Sequence, residues 1–181
     1  MIKQDYSHNF KSLNDIDWQR DDAFDFSASL DSSWLLEQGS LSRLFLQHCQ
    51  KLSAHVVQNI RIEADQLTDF QRCMIGDEAC LLREVVLAAD DEAWLLGSTL
   101  IPISSLSDAQ FDLAKQGTVP LGLTVFQAQE VKRNGLHLGM LDTDLGHLAA
   151  RCSRLWMNDK PMLVTELFLP RSPIYRINSV K

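Results

Sequence analysis

The 181-residue chain has no CxxC pair, no zinc-like ligand spacing and no apolar run close to the ~20 residues that span a bilayer. Its first residues lack the basic, apolar, small-residue order of a signal peptide. Four cysteines and five histidines are scattered along the chain, so we expect reduced, structural thiols and no metal site. These absences predict a cytoplasmic protein with no stable membrane insertion.

The charge balance narrows the possible partners. Acidic residues outnumber basic ones, 24 to 17, and the formal net charge is -7, which argues against a nucleic-acid or anionic-membrane surface. A small anionic ligand stays possible, because one buried arginine outweighs a distant acidic surface. The chain also shows no catalytic Ser/His/Asp order, no phosphate loop and no dinucleotide fingerprint.

The order of elements predicts an α+β fold. Residues 1–30 are polar and acidic and form an expected N-terminal extension, and residues 31–181 form a single domain. Asp31 and Ser40 are candidate N-caps of two helices, and further helices are predicted at 107–116 and 120–126. Short turns join most of the strands, which predicts an antiparallel sheet. The six predicted strands span 54–64, 81–89, 94–103, 130–141, 148–157 and 162–169.

Three of these strands carry charges on apolar rows. Glu166 alternates with Val164 and Phe168, and Arg154 alternates with Cys152 and Trp156. These two strands are predicted to join at Asn158-Asp159-Lys160. In the third strand Arg83 shares a face with Leu81 and Val85. Buried charges are costly unless they are paired or bound by a ligand.

Two interpretations of these charges remain open. One is a structural ion pair, Arg83–Glu166 or Arg154–Glu166. The other is a small pocket in which Arg83 holds a ligand carboxylate and Glu166 faces the other end of the ligand. The helix starts at Gly39-Ser40-Leu41 and Pro120-Leu121-Gly122 favour the second, because backbone N–H groups at such starts bind anions.

Several long motifs carry a resemblance to a known family. They are Trp34-Leu-Leu36, Gly39-Ser-Leu-Ser-Arg-Leu-Phe45, Arg83-Glu-Val-Val-Leu-Ala-Ala-Asp90, Trp94-Leu-Leu-Gly97, Ile101-Pro-Ile-Ser-Ser-Leu106, Pro120-Leu-Gly122 and the run from Arg151 through Tyr175. With these motifs in this order, the sequence resembles the chorismate–pyruvate lyases. The matching segments span most of residues 31–175.

The resemblance implies a six-stranded antiparallel sheet with an enclosed ligand pocket. It further implies a carbon-oxygen lyase that converts chorismate to 4-hydroxybenzoate and pyruvate for ubiquinone synthesis, as a monomer and without a cofactor. Arg83 would hold the ring carboxylate and Glu166 would contact the ring hydroxyl. The backbone amides of Leu41 and Leu121 would also contact the product.

The sequence departs from the family pattern at one position near these motifs. Family members often carry a basic residue after the glycine that matches Gly97, whereas this chain has Ser98. The resemblance therefore leaves open which group binds the enolpyruvyl carboxylate. Arg154 is a weaker candidate for that contact.

Two mechanistic roles for Glu166 are open, and so is one rival function. Glu166 either hydrogen-bonds the C4 hydroxyl or takes the C4 proton, and burial and Arg83 push its pKa in opposite directions. The rival is a non-catalytic domain that senses or binds a small aromatic acid, as in some bacterial transcription regulators of the same fold. Such regulators carry a DNA-binding region, for which thirty acidic residues are too few and of the wrong charge.

Overall fold

An antiparallel sheet organises the chain in the computed structural model, which describes residues 4–106, 131–157 and 159–175. The strands are β1 (Gln19–Arg20), β2 (Leu52–Ile62), β3 (Cys80–Ala89), β4 (Glu92–Pro102), β5 (Val131–Thr143), β6 (Gly146–Met157) and β7 (Lys160–Phe168). Their order across the sheet is β1-β5-β6-β7-β4-β3-β2. The α+β class and the antiparallel pairing predicted from the sequence are confirmed.

The sheet has seven strands in the described residues, so the expected number of six is wrong. The additional strand is β1, two residues that pair with Leu138 and His137 at the edge of β5. So short a segment, in a polar stretch without alternation, gives no strand signal in the sequence. All six predicted strands are present, with ends within a few residues of the prediction.

Two tight turns fix the register of the sheet. Asp90 and Asp91 connect β3 to β4 with φ angles of 47° and 70°, and Asp159 follows β6 with a φ of 61°. Aspartate adopts this left-handed region more readily than most residues, which suits two-residue hairpin turns. Met157 lies opposite Lys160, so Lys160 belongs to β7 and not to the predicted turn. Asn158 lies outside the described residues.

Within the described residues, four short α-helices pack on the two faces of the sheet. They are α1 (Ser7–Ser12), α2 (Ser32–Leu35), α3 (Leu41–Phe45) and α4 (Asp69–Ile75). The predicted caps are confirmed, because the Asp31 side chain accepts from the Ser33 amide and the Ser40 side chain accepts from the Arg43 amide. The helices predicted at 107–116 and 120–126 lie outside the described residues.

Each face of the sheet has its own core. On the first face, Trp34 and Leu35 of α2 and Phe45 of α3 pack against Leu95 and Phe168. We call this the α3 face. The other face packs against α4 and against the N-terminal segment. That segment places Tyr6, Phe10, Leu13 and Ile16 in the core.

We call the second face the α4 face. The N-terminal segment contributes to the core of this face, in addition to having an acidic surface. A domain boundary at residue 30 stays a prediction. No helix of the described residues is long and apolar enough to cross a membrane.

Candidate active site

A buried ion pair lies at the centre of the α3 face. Arg151 on β6 is directly opposite Glu166 on β7, and Arg151 Nε donates to Glu166 Oε2 at 2.5 Å. The Arg151 side chain is fully buried, and the Glu166 side chain is 10% exposed. The partner of Glu166 is thus Arg151, which neither of the two interpretations from the sequence names.

Arg154 does not reach Glu166 because it lies on the α4 face. Alternation along β6 places it opposite Leu163, on the other side of the sheet from Arg151. Its Nε donates to Asn134 Oδ1 at 3.0 Å and its Nη1 to the Met74 carbonyl at 3.2 Å. These bonds hold Arg154 on the α4 face, on the other side of the sheet from Glu166.

Arg151 also ties the sheet to the chain in front of α3. Its Nη1 lies 2.8 Å from the carbonyl oxygen of Glu37, 3.3 Å from that of Trp34 and 3.5 Å from that of Leu35. Its Nη2 makes no hydrogen bond in the described part of the chain. One side chain thus orients the carboxylate of Glu166 and positions the segment that precedes α3.

A second arginine from the neighbouring strand holds the same segment. Arg133 on β5 donates to the carbonyls of Gln38 and Gly39 at 3.2 and 3.3 Å, and to Ser153 Oγ at 2.5 Å. Burial and the nearby Arg151 lower the pKa of Arg133 to about 10, against the opposing effect of Glu166 and Glu37. Arg133 therefore remains a cation at neutral pH.

A cavity of about 50 Å³ lies beside Glu166. Its walls are Leu41, Ser42, Val85, Leu87, Leu95, Gly97, Thr99, Arg133, Leu155, Val164 and Glu166. Gly97 lies opposite both Val85 and Glu166 in the ladder, and a Cβ at this position would lie 3.2 Å from Val85 Cγ2. The missing side chain of Gly97 therefore leaves the space next to the carboxylate open.

Arg83 is buried one step further along this face. It is 2% exposed and lies opposite Thr99, which in turn lies opposite Val164, and both of these residues line the cavity. Burial lowers the pKa of Arg83. Alternation places Arg83 on the same face as Val85 and Glu166, as the sequence predicted.

The described residues include one of the two predicted helix starts. Leu41 begins α3 and lines the cavity, and its amide is one of the first four N–H groups, which have no acceptor within a helix. Leu121 and its neighbours Pro120 and Gly122 lie outside the described residues. The α3 face therefore assembles Arg83, Glu166 and Leu41 from three separate parts of the sequence.

Ser98 lies on the other side of the sheet from Glu166. It lines a separate cavity on the α4 face, together with Glu84 and Thr165. Residue 98 therefore does not face the cavity beside Glu166. A serine in place of a basic residue at this position removes no contact from that cavity. Arg133 is the cation that lines that cavity among the described residues.

Sequence reasoning missed both Arg151 and Arg133. The hairpin could have identified Arg151, because a two-residue turn after Met157 sets Arg151 opposite Glu166. Arg133 follows Lys132 in a polar segment whose alternation carries no face signal. No group of three or more His, Cys, Asp or Glu in the described ranges could hold a metal ion.

Comparison with known sequences finds relatives along nearly the whole chain. The family model described as "Chorismate lyase" matches residues 12–180. A protein of Vibrio parahaemolyticus serotype O3:K6, described as "Probable chorismate pyruvate-lyase", is 48% identical over 174 residues, which cover 96% of this chain and 97% of that protein. The "Chorismate pyruvate-lyase" of Proteus mirabilis is 40% identical over 161 residues, which cover 89% of this chain and 93% of the relative.

Comparison with solved structures concerns the fold alone. The effector domain of PhnF from Mycobacterium smegmatis superimposes with a TM-score of 0.51 at 13% identity. The match covers 75% of this chain and 91% of that domain. The fold described above therefore also occurs outside the sequence relatives.

Proposed function

The chain belongs to the chorismate lyase family, and we propose that it is a chorismate pyruvate-lyase, an enzyme that converts chorismate to 4-hydroxybenzoate and pyruvate. The observation that carries the proposal is Glu166, a carboxylate between Arg151 and Gly97 that lines the cavity under α3. In this proposal the product serves ubiquinone synthesis. A monomeric state and a cytoplasmic location stay predictions.

The reaction is an elimination that needs little chemical assistance. The bond between C3 and the enolpyruvyl oxygen breaks, C4 loses its hydrogen as a proton, and the ring becomes aromatic. The released enolpyruvate takes up a proton and tautomerises to pyruvate. Aromatisation supplies the driving force, so we propose that the protein acts mainly by positioning and electrostatics.

We propose Arg83 as the group that binds the ring carboxylate. Its burial on the α3 face, next to the cavity-lining Thr99, supports this role. A guanidinium binds a carboxylate with two parallel hydrogen bonds, which fixes both position and orientation. The amides of Leu41 and Leu121 are proposed as further contacts to the ligand.

Glu166 is the proposed partner of the C4 end of the ring. It either accepts a hydrogen bond from the C4 hydroxyl or takes the C4 proton. The 2.5 Å bond from Arg151 occupies Oε2 and fixes the orientation of the carboxylate. Oε1 is then the oxygen available to the substrate. Arg151 is thus a positioning residue for Glu166.

Arg133 is the proposed binder of the enolpyruvyl carboxylate. It lines the cavity as a buried cation, together with Leu155 and Glu166. Its hydrogen bonds to Gln38 and Gly39 hold it in place from the side of α3. This assignment replaces Arg154, which lies on the α4 face.

The decisive experiment is to mix the purified protein with chorismate, without metal or cofactor, and to follow both products. Absorbance reports 4-hydroxybenzoate and a coupled assay reports pyruvate. Equal formation of both products, lost in Arg83→Ala and retained in Arg154→Ala, supports a lyase that uses this site. Tight binding of 4-hydroxybenzoate without turnover would instead support the alternative, a non-catalytic binding domain for small aromatic acids.

A Glu166→Gln variant separates the two roles of the carboxylate. Glutamine keeps the shape and an acceptor oxygen but cannot take a proton at neutral pH. Retained binding of 4-hydroxybenzoate with a loss of about 100-fold or more in kcat supports proton transfer by Glu166. Nearly full turnover would limit Glu166 to positioning.

A further inference from the structure

A second and larger cavity, of about 240 Å³, lies on the α4 face, behind the sheet strands that carry the proposed active site. The N-terminal segment forms one wall with Phe10, Leu13 and Trp18, and α4 with the turn before it forms another with Thr68 and Phe70. The sheet forms the floor. Three separate parts of the chain therefore border this space.

A polar row of the sheet supplies Glu84, Ser98 and Thr165 to the floor of this cavity. Gln58, Glu84, Ser98 and Thr165 lie opposite one another on β2, β3, β4 and β7. The neighbouring row on this face is apolar, with Leu82 and Leu100 next to the cavity. Polar groups in the middle of an apolar floor are typical of ligand sites, where a few of them fix orientation.

Glu84 is the ionisable residue of this row. It is 8% exposed, and Gln58 Nε2 donates to its Oε2 at 2.6 Å. A carboxylate offers about four acceptor positions, so this bond leaves Glu84 with capacity for a donor from a ligand. Burial raises the pKa of Glu84, because water stabilises the charge of a buried carboxylate poorly, and a bound donor would stabilise that charge.

The charges around the cavity select the ligand class. Glu84 is the ionisable residue among the lining residues, and the described lining contains no Lys, Arg or His. An anion such as a carboxylate would meet Glu84 without a compensating cation. A cation or a neutral donor would meet a carboxylate and the aromatic walls of Phe10, Trp18 and Phe70, which also attract cations.

Contacts between the walls hold them in place, so the cavity exists before a ligand binds. Trp18 and Phe70 stack with ring centroids 6.0 Å apart, and Gln71 Nε2 of α4 donates to Asn14 Oδ1 at 3.1 Å. The volume of about 240 Å³ leaves room for a small molecule with a single ring.

We propose that this cavity is a second ligand site, for a small single-ring molecule that carries an amine or hydroxyl donor and no carboxylate, with Glu84 as its acceptor. The site is independent of the lyase proposal, because it shares no lining residue with the cavity beside Glu166. Its floor residues are nevertheless the direct chain neighbours of Arg83, Gly97 and Glu166.

The test uses three probes of similar size and different charge: benzylamine, benzyl alcohol and benzoate. Each is titrated into the ¹⁵N-labelled full chain, first alone and then with 4-hydroxybenzoate present, and amide shifts locate the binding. We expect benzylamine, and more weakly benzyl alcohol, to shift amides around Glu84 and Thr68 with a dissociation constant on the order of 1 mM. Benzoate should not shift these amides.

Two variants complete the test. Glu84→Gln should weaken benzylamine binding about tenfold, because a charge-assisted bond is lost, and should affect benzyl alcohol much less. Ser98→Phe should fill the cavity and abolish the binding of both probes, and a well-dispersed spectrum verifies that each variant is folded. Ser104→Ala, at a position that lines neither cavity, is the control and should bind both probes as the wild type does.

Three results would overturn the proposal. They are the absence of saturable shifts around Glu84, competition between benzylamine and 4-hydroxybenzoate for one cavity, and equal benzylamine affinity in the wild type and Glu84→Gln. The readout is the position of the shifted amides and does not depend on turnover. A failure of the lyase proposal would therefore leave this result interpretable.

Discussion

Arg151 and Glu166 lie directly opposite each other on β6 and β7, joined by a 2.5 Å bond between Nε and Oε2. Arg151 is completely buried and also donates to the Glu37 carbonyl at 2.8 Å. The same guanidinium therefore fixes a carboxylate on the sheet and the chain that leads into α3. The candidate site and the packing of the α3 face depend on one side chain.

We expect Arg151→Ala to destabilise the protein by about 3–5 kcal/mol, because it leaves a buried carboxylate and several carbonyl groups without their donor. Urea unfolding, followed by circular dichroism, measures the change. Arg171→Ala, which removes an exposed 3.0 Å pair with Glu92, is the matched control and should change stability by at most about 1 kcal/mol. Similar losses of unfolding free energy in the two variants would show that burial does not increase the contribution of the Arg151–Glu166 pair to stability.

A double-mutant cycle isolates the pair itself. Once Glu166 is replaced by glutamine, Arg151→Ala should cost less than it does in the wild type, because no buried charge is left behind. The expected coupling energy is about 1–3 kcal/mol. Additive effects of the two changes would show that Arg151 acts mainly through its bonds to the backbone before α3.

We expect Arg83→Ala to weaken the binding of 4-hydroxybenzoate by about 100-fold or more, since truncating one partner of a buried charge pair costs several kcal/mol. Calorimetric titration gives the affinity. Arg154→Ala, from the α4 face, should bind the product as the wild type does. Unchanged affinity in Arg83→Ala would remove Arg83 from the site and leave Arg133 as the carboxylate binder.

Gly97→Ala tests whether the ligand occupies the space beside Glu166. The added Cβ would lie 3.2 Å from Val85 Cγ2 and would enter a cavity of only about 50 Å³. We expect about tenfold weaker binding of 4-hydroxybenzoate, partly restored when Val85→Ala is added. Ser98→Ala, on the other face, is the control. Wild-type affinity in Gly97→Ala would place the ligand elsewhere.

The pH dependence of stability should change in Glu84→Gln. Burial raises the pKa of Glu84 above its ordinary value of 4.5, against the smaller opposing effect of the Gln58 hydrogen bond. The folded state then binds this proton more tightly than the unfolded chain, so stability is lost as the pH rises and Glu84 ionises. Glutamine cannot ionise, so the Tm of the variant relative to the wild type should increase as the pH rises above 4.5.

Glu92→Gln, at the exposed start of β4, provides the control for net charge. Both variants remove one negative charge, but only Glu84 is buried. Scanning calorimetry at several pH values compares them. The same pH trend in both variants would assign the effect to net charge and not to the burial of Glu84.

Three of the four thiols should differ clearly in reactivity. Burial raises the pKa of Cys80 to about 11 and that of Cys152 to about 12, whereas Cys73 is exposed. Because the thiolate is the reactive form, iodoacetamide at pH 8 should label Cys73 first and reach Cys80 and Cys152 only after unfolding. Peptide mass mapping checks the order. Rapid labelling of Cys152 in the folded protein would contradict its burial on β6.

Much of the sheet could be predicted because alternation and turn residues are local signals. The strand around Arg83 and a turn at Asp90-Asp91-Glu92 follow from patterns within ten residues, although Glu92 already belongs to β4. The caps at Asp31 and Ser40 are equally local. The strand β1 could not be predicted, because it consists of two exposed residues that pair only when β5 is in place.

The site could be predicted in part, for a related reason. Alternation identifies Glu166 as an internal charge, but it does not identify the residue opposite, which depends on the register between strands. Alternation alone therefore favours Arg154 over Arg151, which lies three residues away and on the other face. Arg133 depends on a contact with Gly39, 94 residues earlier, for which the sequence gives no signal.

The alternation of the central strands also constrains how a protein of this kind can change over generations. Arg83 and Glu84, Gly97 and Ser98, and Thr165 and Glu166 are consecutive pairs whose members lie on opposite faces of the sheet. Inserting or deleting one residue in β3, β4 or β7 would reverse every later side chain of that strand. Substitution can therefore change either cavity separately, whereas a one-residue change of length beside these pairs would exchange the residues that face the two cavities.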